Sequence, residues 1–372
     1  MGVSAVQRIK NGASAVLTNA QSRHEYAARL KWLLRGSGDL QAWSLEYRAG
    51  LHGTYQVEAR RSNEDPTRTM HCPDDCATGA PLAHLYEARY VYELSDTVVN
   101  TVTGAALLCG TPEPTFFIRE SISWPFESIL SHGLDIPEMK QATPGPSGPT
   151  TIFGSTGNYY HWLIEEVPLV MRALERDPQT AVLAYRDAIT DRHRAVAREL
   201  GFTIIPADKT IRLRDHVLPG RANDSWFIHP RDGELLFELG SRLTQRNATG
   251  ADRIYVSRRG ASRSLPYEVE LEARLRDDGF TIINPTTLTW PEQIATFRAA
   301  KVVVAPHGAG LSNLVFSEPG AHVIELTNGR HYNRCFEWLC HVREHRYIPI
   351  SSDDGTFTKP HDLGDAISAL LD

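Results

Sequence analysis

Lys301–Leu326 reads KVVVAPHGAGLSNLVFSEPGAHVIEL, and the order of residue types in it decides the fold. Val302–Ala305 is a short, β-branched, wholly apolar run, which suits a strand buried on both faces. Gly308 and Gly310 then open a predicted helix over Gly310–Phe316. Pro319-Gly320 turns the chain into a second apolar strand, His322–Leu326. Strand, glycine turn, helix, strand is one βαβ unit of a parallel sheet covered on both faces. Ligands of such sheets bind beyond the carboxyl ends of the strands, the position that His307-Gly308-Ala309-Gly310 occupies here.

That position has a chemistry. Glycines let a backbone approach an anion closely, and a helix N-terminus offers unpaired N–H groups and a positive dipole end. Gly308–Ser312, that is Gly308, Ala309, Gly310, Leu311 and Ser312, therefore suits a phosphate or diphosphate, and His307 can donate to one of its oxygens. A plain glycine turn capped by a histidine explains the same residues about as well, because a short glycine loop is a weak signal.

The same alternation extends outward. Strands are expected at Thr151–Phe153, Ala181–Tyr185, Thr203–Ile205, Arg253–Ser257 and Thr281–Ile283. Helices are expected at Tyr160–Leu174, Asp191–Leu200, Gly233–Arg246, Tyr267–Asp278 and Pro291–Ala300. Leu85–Ile118 reads as strands, Ala142–Thr150 as a proline- and glycine-rich linker, and His361–Leu371 as a terminal helix. A boundary falls near Gln245–Asp252, where RNATGAD interrupts the pattern. The expected organisation is a polar extension over 1–80, an acceptor-side α/β domain over 81–248, a nucleotide-sugar-binding Rossmann-like domain over 249–350 and a tail helix over 351–372.

Two further stretches carry candidate chemistry. Ser257-Arg258-Arg259, with Arg263, follows the strand RIYVS. Arginines at a strand end can neutralise a diphosphate by bidentate contacts, although a solvated basic loop has the same composition. Gly157–Glu166 reads GNYYHWLIEE, with Asn158 as an N-cap. His161 and Glu165 lie four apart, on one helical face, where an imidazole beside a carboxylate can act as a general base. In isolation a helix-face hydrogen bond within an aromatic core is the commoner meaning. Pro168 is expected to kink this helix just after Glu165.

Jointly, NYYHWLIEEVP, the SRR…R segment, the Glu292-Gln293 pair, HGAGLSN and Pro319-Gly320 leading into VIEL resemble glycosyltransferase family 61 over about Phe153–Leu326. One departure is visible: the family's Asn-Glu after the second arginine cluster is Tyr267-Glu268 here, so Glu268 matches and the Asn does not. The resemblance implies an α/β, GT-B-like fold with two Rossmann-like halves facing a cleft. It implies inverting transfer from a nucleotide sugar, a UDP-sugar first among the candidates, to a hydroxyl of a glycan or glycoconjugate, without a cofactor or bound metal. Glu165 is then the first choice for general base, with His161 orienting it or taking the role itself. Arg258, Arg263, His307, Gly308, Ala309, Gly310 and Leu311 hold the donor diphosphate. Asn313 is structural or a polar contact in that loop, and Glu325 accepts from the ribose hydroxyls.

Composition bounds the alternatives. Of 372 residues, 39 are Lys or Arg and 45 are Asp or Glu, a net charge of −6 that disfavours a nucleic-acid binder. Asp74-Asp75, Asp277-Asp278 and Asp353-Asp354 are adjacent pairs rather than Asp-x-Asp, and His71-Cys72 with Cys76 has no second pair at zinc spacing. Five cysteines and no apolar leader at the start of the sequence argue against a disulfide framework and point to a cytoplasmic protein. His24–Leu34 reads as an amphipathic helix that suits peripheral docking at the inner membrane face, or simply an ordered cap. No Gly-x-Ser-x-Gly elbow supports a hydrolase, and no Gly-x-Gly-x-x-Gly supports a dinucleotide enzyme. The remaining alternative is a non-catalytic nucleotide- or glycan-binding protein on the same fold. Oligomeric state is not legible.

Overall fold

The computed structural model describes residues 91–107, 141–154, 157–220, 228–244, 250–260, 264–265, 267–327, 334–351 and 363–369 with their side chains, and some further strand and helix residues by backbone alone. The expected His24–Leu34 helix, Arg263, Cys72, Cys76 and Cys109 lie outside the described residues.

The chain is α/β with mixed sheets. The first large sheet contains β1 (Arg60–Asp65), β2 (Arg89–Leu94), β3 (Thr150–Ile152), β4 (Ala181–Tyr185), β5 (Ile204–Ala207) and β6 (His216–Pro219), in the order β5-β4-β3-β6-β2-β1. The four strands β5, β4, β3 and β6 are parallel, while β2 and β1 add antiparallel. A second six-stranded sheet joins Gln41–Trp43, Phe116–Ile118, Ala106–Leu108, Thr97–Asn100, Thr210–Leu213 and Thr143–Pro144 in that order. This half is therefore more than a simple parallel Rossmann unit: only the four strands from the β5 edge inward follow that pattern.

The four strands expected in the second half are all present. Strands β7 (Arg253–Val256), β8 (Thr281–Ile283), β9 (Val302–Pro306), β10 (His322–Asn328) and β11 (Arg346–Ser352) form an all-parallel sheet in the order β8-β7-β9-β10-β11. Counted within the sheet, that order is 2-1-3-4-5. Its topological switch point lies between the carboxyl ends of β7 and β9, where the two chains leave in opposite directions and open a crevice. The residues that follow these strands are Ser257-Arg258 and His307-Gly308.

The helices obey their local signals. Helix α1 runs through Tyr159–His161, a wide π turn at Trp162–Glu166, and Val167–Arg176. Val167 N–H reaches back five residues to the Trp162 carbonyl. This turn lies at the position of the expected kink. Pro168 has no N–H to give, and the extra residue in the turn absorbs that loss without breaking the helix. Helix α2 (Asp191–Leu200) starts at Thr190, whose Oγ1 lies 2.7 Å from His193 Nδ1, and stops at Gly201, whose φ is +76°. Helix α3 (Pro230–Leu243) begins at a proline, earlier than the periodicity indicates. Helix α4 spans Glu268–Asp277, and α5 (Trp290–Ala299) is capped by Thr289 and Glu292. After β9 the expected helix is a 3₁₀ turn, Ala309–Phe316. Helix α6 (Cys335–Val342) and strand β11 extend the alternation beyond its expected end, and α7 spans Pro360–Ala369.

One buried cluster spans both halves: Phe153, Trp162 and Val167 join Leu236, Trp290, Phe316 and Trp338 in it. Helix α3 crosses this interior at Gly240, where a Cβ would stand 2.5 Å from Phe316 Cδ1, so glycine permits the close approach. The first turns of α1, α2 and α5 and the 3₁₀ turn thereby come to one region, at the carboxyl ends of the parallel strands.

Candidate functional site

The start of α1 builds the first half of the site. Asn158 caps it by accepting from Tyr160 N–H at 2.9 Å. His161 Nδ1 lies 2.6 Å from Glu165 Oε1. Glu165 is 6 % exposed and His161 20 %, so the carboxylate sits behind the imidazole. With Nδ1–H donating to Glu165, Nε2 becomes the basic nitrogen. Next to it, Glu166 is buried, and its carboxylate fills the space that a side chain at residue 154 would need, so Gly154 is a packing requirement. Trp162 Nε1–H donates to His193 Nε2 at 3.1 Å. Burial pulls the His193 pKa down to about 4, which keeps that ring neutral and able to accept. The Arg192 guanidinium lies 5.0 Å over the Tyr159 ring and 5.0 Å over that of Trp162.

The carboxyl end of β9 builds the second half. His307 Nδ1 is 2.5 Å from Glu325 Oε1, and Tyr347 O–H donates to Glu325 Oε2 at 2.5 Å. Glu325 is wholly buried, while His307 is 19 % exposed. This corrects the reading of Glu325 as a ribose acceptor. Both its oxygens are taken by protein groups, and its place is inside strand β10, so what it orients is His307. Leu311 N–H bonds the Gly308 carbonyl, and the N–H groups of Gly308, Ala309 and Gly310 precede this first bond of the 3₁₀ turn. By the general rule for helix starts these three N–H groups have no partner within the turn, which makes them a candidate cradle of donors beside the imidazole.

Arg258 reaches this cradle from β7, donating through Nη1 to the His307 carbonyl. A Cβ on Gly308 would stand 2.6 Å from that Nη1, so Gly308 makes room for the guanidinium as well as for any ligand. The loop carrying Arg258 is fixed from behind by Glu268, whose Oε1 accepts Arg258 N–H at 2.6 Å and Tyr255 O–H at 3.1 Å. Arg259 turns away and pairs with Glu272 at 3.0 Å. Of the predicted arginine cluster, the structure thus brings Arg258 to the glycine turn and takes Arg259 elsewhere.

A row of rings connects the two histidines. His161 and Tyr160 have centroids 5.5 Å apart, Tyr160 and Phe336 5.7 Å, and Phe336 and His307 5.2 Å. Asn313, expected among the donor-binding residues as a structural or polar contact of the loop, is wholly buried and bonds the Gly310 carbonyl through Nδ2 at 3.1 Å. Leu311 is buried in the core beneath the turn. The roles of Tyr347 and Phe336 escaped sequence reading, since neither stands in a chemical motif. Only the pairing of β10 with β11 and the docking of α6 bring them here. Cys335 and Cys340 are buried free thiols whose pKa values burial raises, which suits core residues rather than nucleophiles. Among the described residues, no three His, Cys, Asp or Glu side chains gather as a cation site, and no helix is long and apolar enough to cross a membrane.

This geometry coincides with a family match. Residues 159–324 fit the family model described as Glycosyltransferase 61. This stretch belongs to glycosyltransferase family 61. The chain is accordingly a glycosyltransferase, which moves a glycosyl group from a donor to an acceptor. The family 61 stretch starts at Tyr159 in the first turn of α1 and runs through Arg258, His307 and Asn313 to Ile324, one residue short of Glu325. Comparison with the curated proteins gives no match.

Proposed function

We propose that the chain transfers a sugar, with inversion, from a nucleoside-diphosphate donor to a glycan hydroxyl, and that it needs no metal. On this reading the two halves form a GT-B-like pair, with acceptor chemistry on the α1 side and donor binding on the β7–β9 side. The observation that carries the reading is the Gly308–Gly310 cradle at the switch point of the parallel sheet, with His307 held over it by Glu325. The location suits a nucleotide, and the N–H groups, His307 and Arg258 suit its diphosphate.

In the proposed step the acceptor hydroxyl gives its proton to His161 Nε2, and its oxygen attacks the anomeric carbon in line. The bond from that carbon to the diphosphate oxygen breaks, and the nucleoside diphosphate leaves with the electron pair. His161 is favoured over Glu165 as base because Glu165 is buried behind Nδ1 and stabilises the imidazolium as it forms. Charge growing on the leaving diphosphate meets the cradle N–H groups and His307, with Arg258 supporting the loop from behind. Fixed donors and cations of this kind do the work that a divalent ion does in other transferases.

The test is a thermal-shift and calorimetric screen of UDP, GDP, CMP, dTDP and their sugars, with and without EDTA. The reading expects micromolar, EDTA-insensitive binding of one of them, UDP first. A folded protein that binds none would overturn it, and binding abolished by EDTA would remove the metal-independent part.

A further inference from the structure

A polar network stands where the aromatic core joins the two halves of the site. Tyr159 O–H donates to Asn313 Oδ1 at 2.6 Å and accepts Trp290 Nε1–H at 3.0 Å. Asn313 Nδ2 donates to Gln293 Oε1 at 3.2 Å and to the Gly310 carbonyl at 3.1 Å. Gln293 Nε2 donates in turn to the carbonyls of Pro285 and Leu288, at 2.8 and 3.2 Å. Three loops that leave the carboxyl ends of β3, β8 and β9 are thus tied at one point. Burial raises the Tyr159 hydroxyl pKa well above its ordinary value, so it stays a neutral donor and acceptor.

Nothing local requires this arrangement. Tyr159 and Asn313 are 154 residues apart, and the surrounding contacts are aromatic: the Tyr159 ring stacks on Trp162 with centroids 6.1 Å apart. A Phe and a Leu would bury similar area there without directional demands. A fully satisfied network fixes one register, because each donor and acceptor has a single geometry to meet. The positions it fixes are telling: Tyr159 is two residues before His161, and Asn313 holds the carbonyl of Gly310.

We infer that Tyr159, Asn313, Gln293 and Trp290 are a positioning network that holds the base-bearing turn of α1 in register with the Gly308–Gly310 cradle, with the Tyr159 hydroxyl as its junction. The inference rests on the reading of that cradle as the diphosphate site. It makes the cradle and the α1 turn respond together when a nucleotide binds. It also gives Gln293 and Asn313 a role without any contact to substrate.

Hydrogen–deuterium exchange with UDP as the probe tests it, read over 157–165 and 305–313 in the full chain and in Tyr159→Phe. In the unsubstituted protein UDP should slow exchange in both segments. In Tyr159→Phe the affinity for UDP should change less than about 3-fold, under the worth of one net hydrogen bond, because the hydroxyl lies outside the cradle. Slowing should persist over 305–313, while over 157–165 it falls from about 5-fold or more to under about 2-fold. A merely structural hydroxyl would lower Tm and raise exchange with and without UDP alike, leaving the UDP-induced difference in both segments. That result overturns the network. Failure of the unsubstituted protein to bind UDP or its GDP, CDP and dTDP counterparts overturns the underlying reading instead. Should Tyr159→Phe not fold, Trp290→Phe removes the other bond to the same hydroxyl and is expected to uncouple the segments in the same direction; unchanged coupling there contradicts the inference.

Discussion

His161 and Glu165 meet within a single helical turn, whereas His307 and Glu325 meet because two neighbouring parallel strands place Ala305 opposite Glu325. Both pairs have the same chemistry: a partly exposed imidazole with Nδ1 on a buried carboxylate. They differ in what supports them. The first needs only helix α1 and its wide turn. The second needs the whole β7–β11 sheet, and Tyr347 from β11 closes it by holding the other oxygen of Glu325. The difference teaches that a local pair can be lost without the fold, while a long-range pair is part of it. It also fits a division of labour in which proton transfer sits on the local pair and anion binding on the pair anchored in the sheet.

The largest expected effect separates those two jobs. His161→Ala should lower kcat by about 10²–10⁴, with nucleotide affinity kept within about 2-fold. Steady-state turnover of a UDP-sugar panel, alongside calorimetry, checks it, and retained kcat would take the base role from His161.

His307→Ala should act on the other side, weakening nucleoside diphosphate binding by about 10- to 100-fold, the worth of one hydrogen bond to a charged group. Calorimetric titration reads this directly. Glu325→Gln should weaken binding less than His307→Ala but lower Tm more, because the change falls inside the sheet; thermal melts of both variants decide the order.

A smaller effect is expected for Tyr347→Phe. It removes one hydrogen bond from the buried Glu325 carboxylate and should cost about 1.5–3 kcal/mol of stability, with nucleotide affinity reduced less than about 10-fold. No change in either would mean that Glu325 holds His307 unaided.

The last effect bears on stability alone and leaves the neutral-pH comparison untouched; it concerns the histidines outside the two pairs. Burial lowers His193 and His345 to about 4 and His216 to about 3. Their unfolded pKa is about 6.5, so below that value the unfolded chain binds more protons and stability falls with pH. Tm should therefore be flat above about pH 6.5 and decline as pH drops towards about 4. His345→Gln should reduce the slope; an unchanged slope would mean that His345 titrates alike in both states.

Much of this was legible in the sequence, for reasons that the two pairs illustrate. A spacing of four within a helix announces contact, so His161 and Glu165 could be paired by counting. The β7–β10 strands and the glycine turn were legible because an apolar run followed by glycine has few other uses. Glu325 was misread because a βαβ pattern does not give the register between its two strands, and it is the register that sets Glu325 against His307. With β10 next to β9, the acid at its centre faces inward to His307 rather than outward to a sugar. The antiparallel additions β1 and β2 are equally a matter of long-range pairing, and the wide turn at Trp162–Glu166 is the least expected way to accommodate Pro168.

The division of labour is the central claim, and one experiment tests it most directly: UDP titrated calorimetrically into the unsubstituted protein, His161→Ala and His307→Ala under one buffer. The account predicts equal affinity in the first two and a loss of about 10-fold or more in the third. Equal loss in both variants, or loss only in His161→Ala, would contradict it.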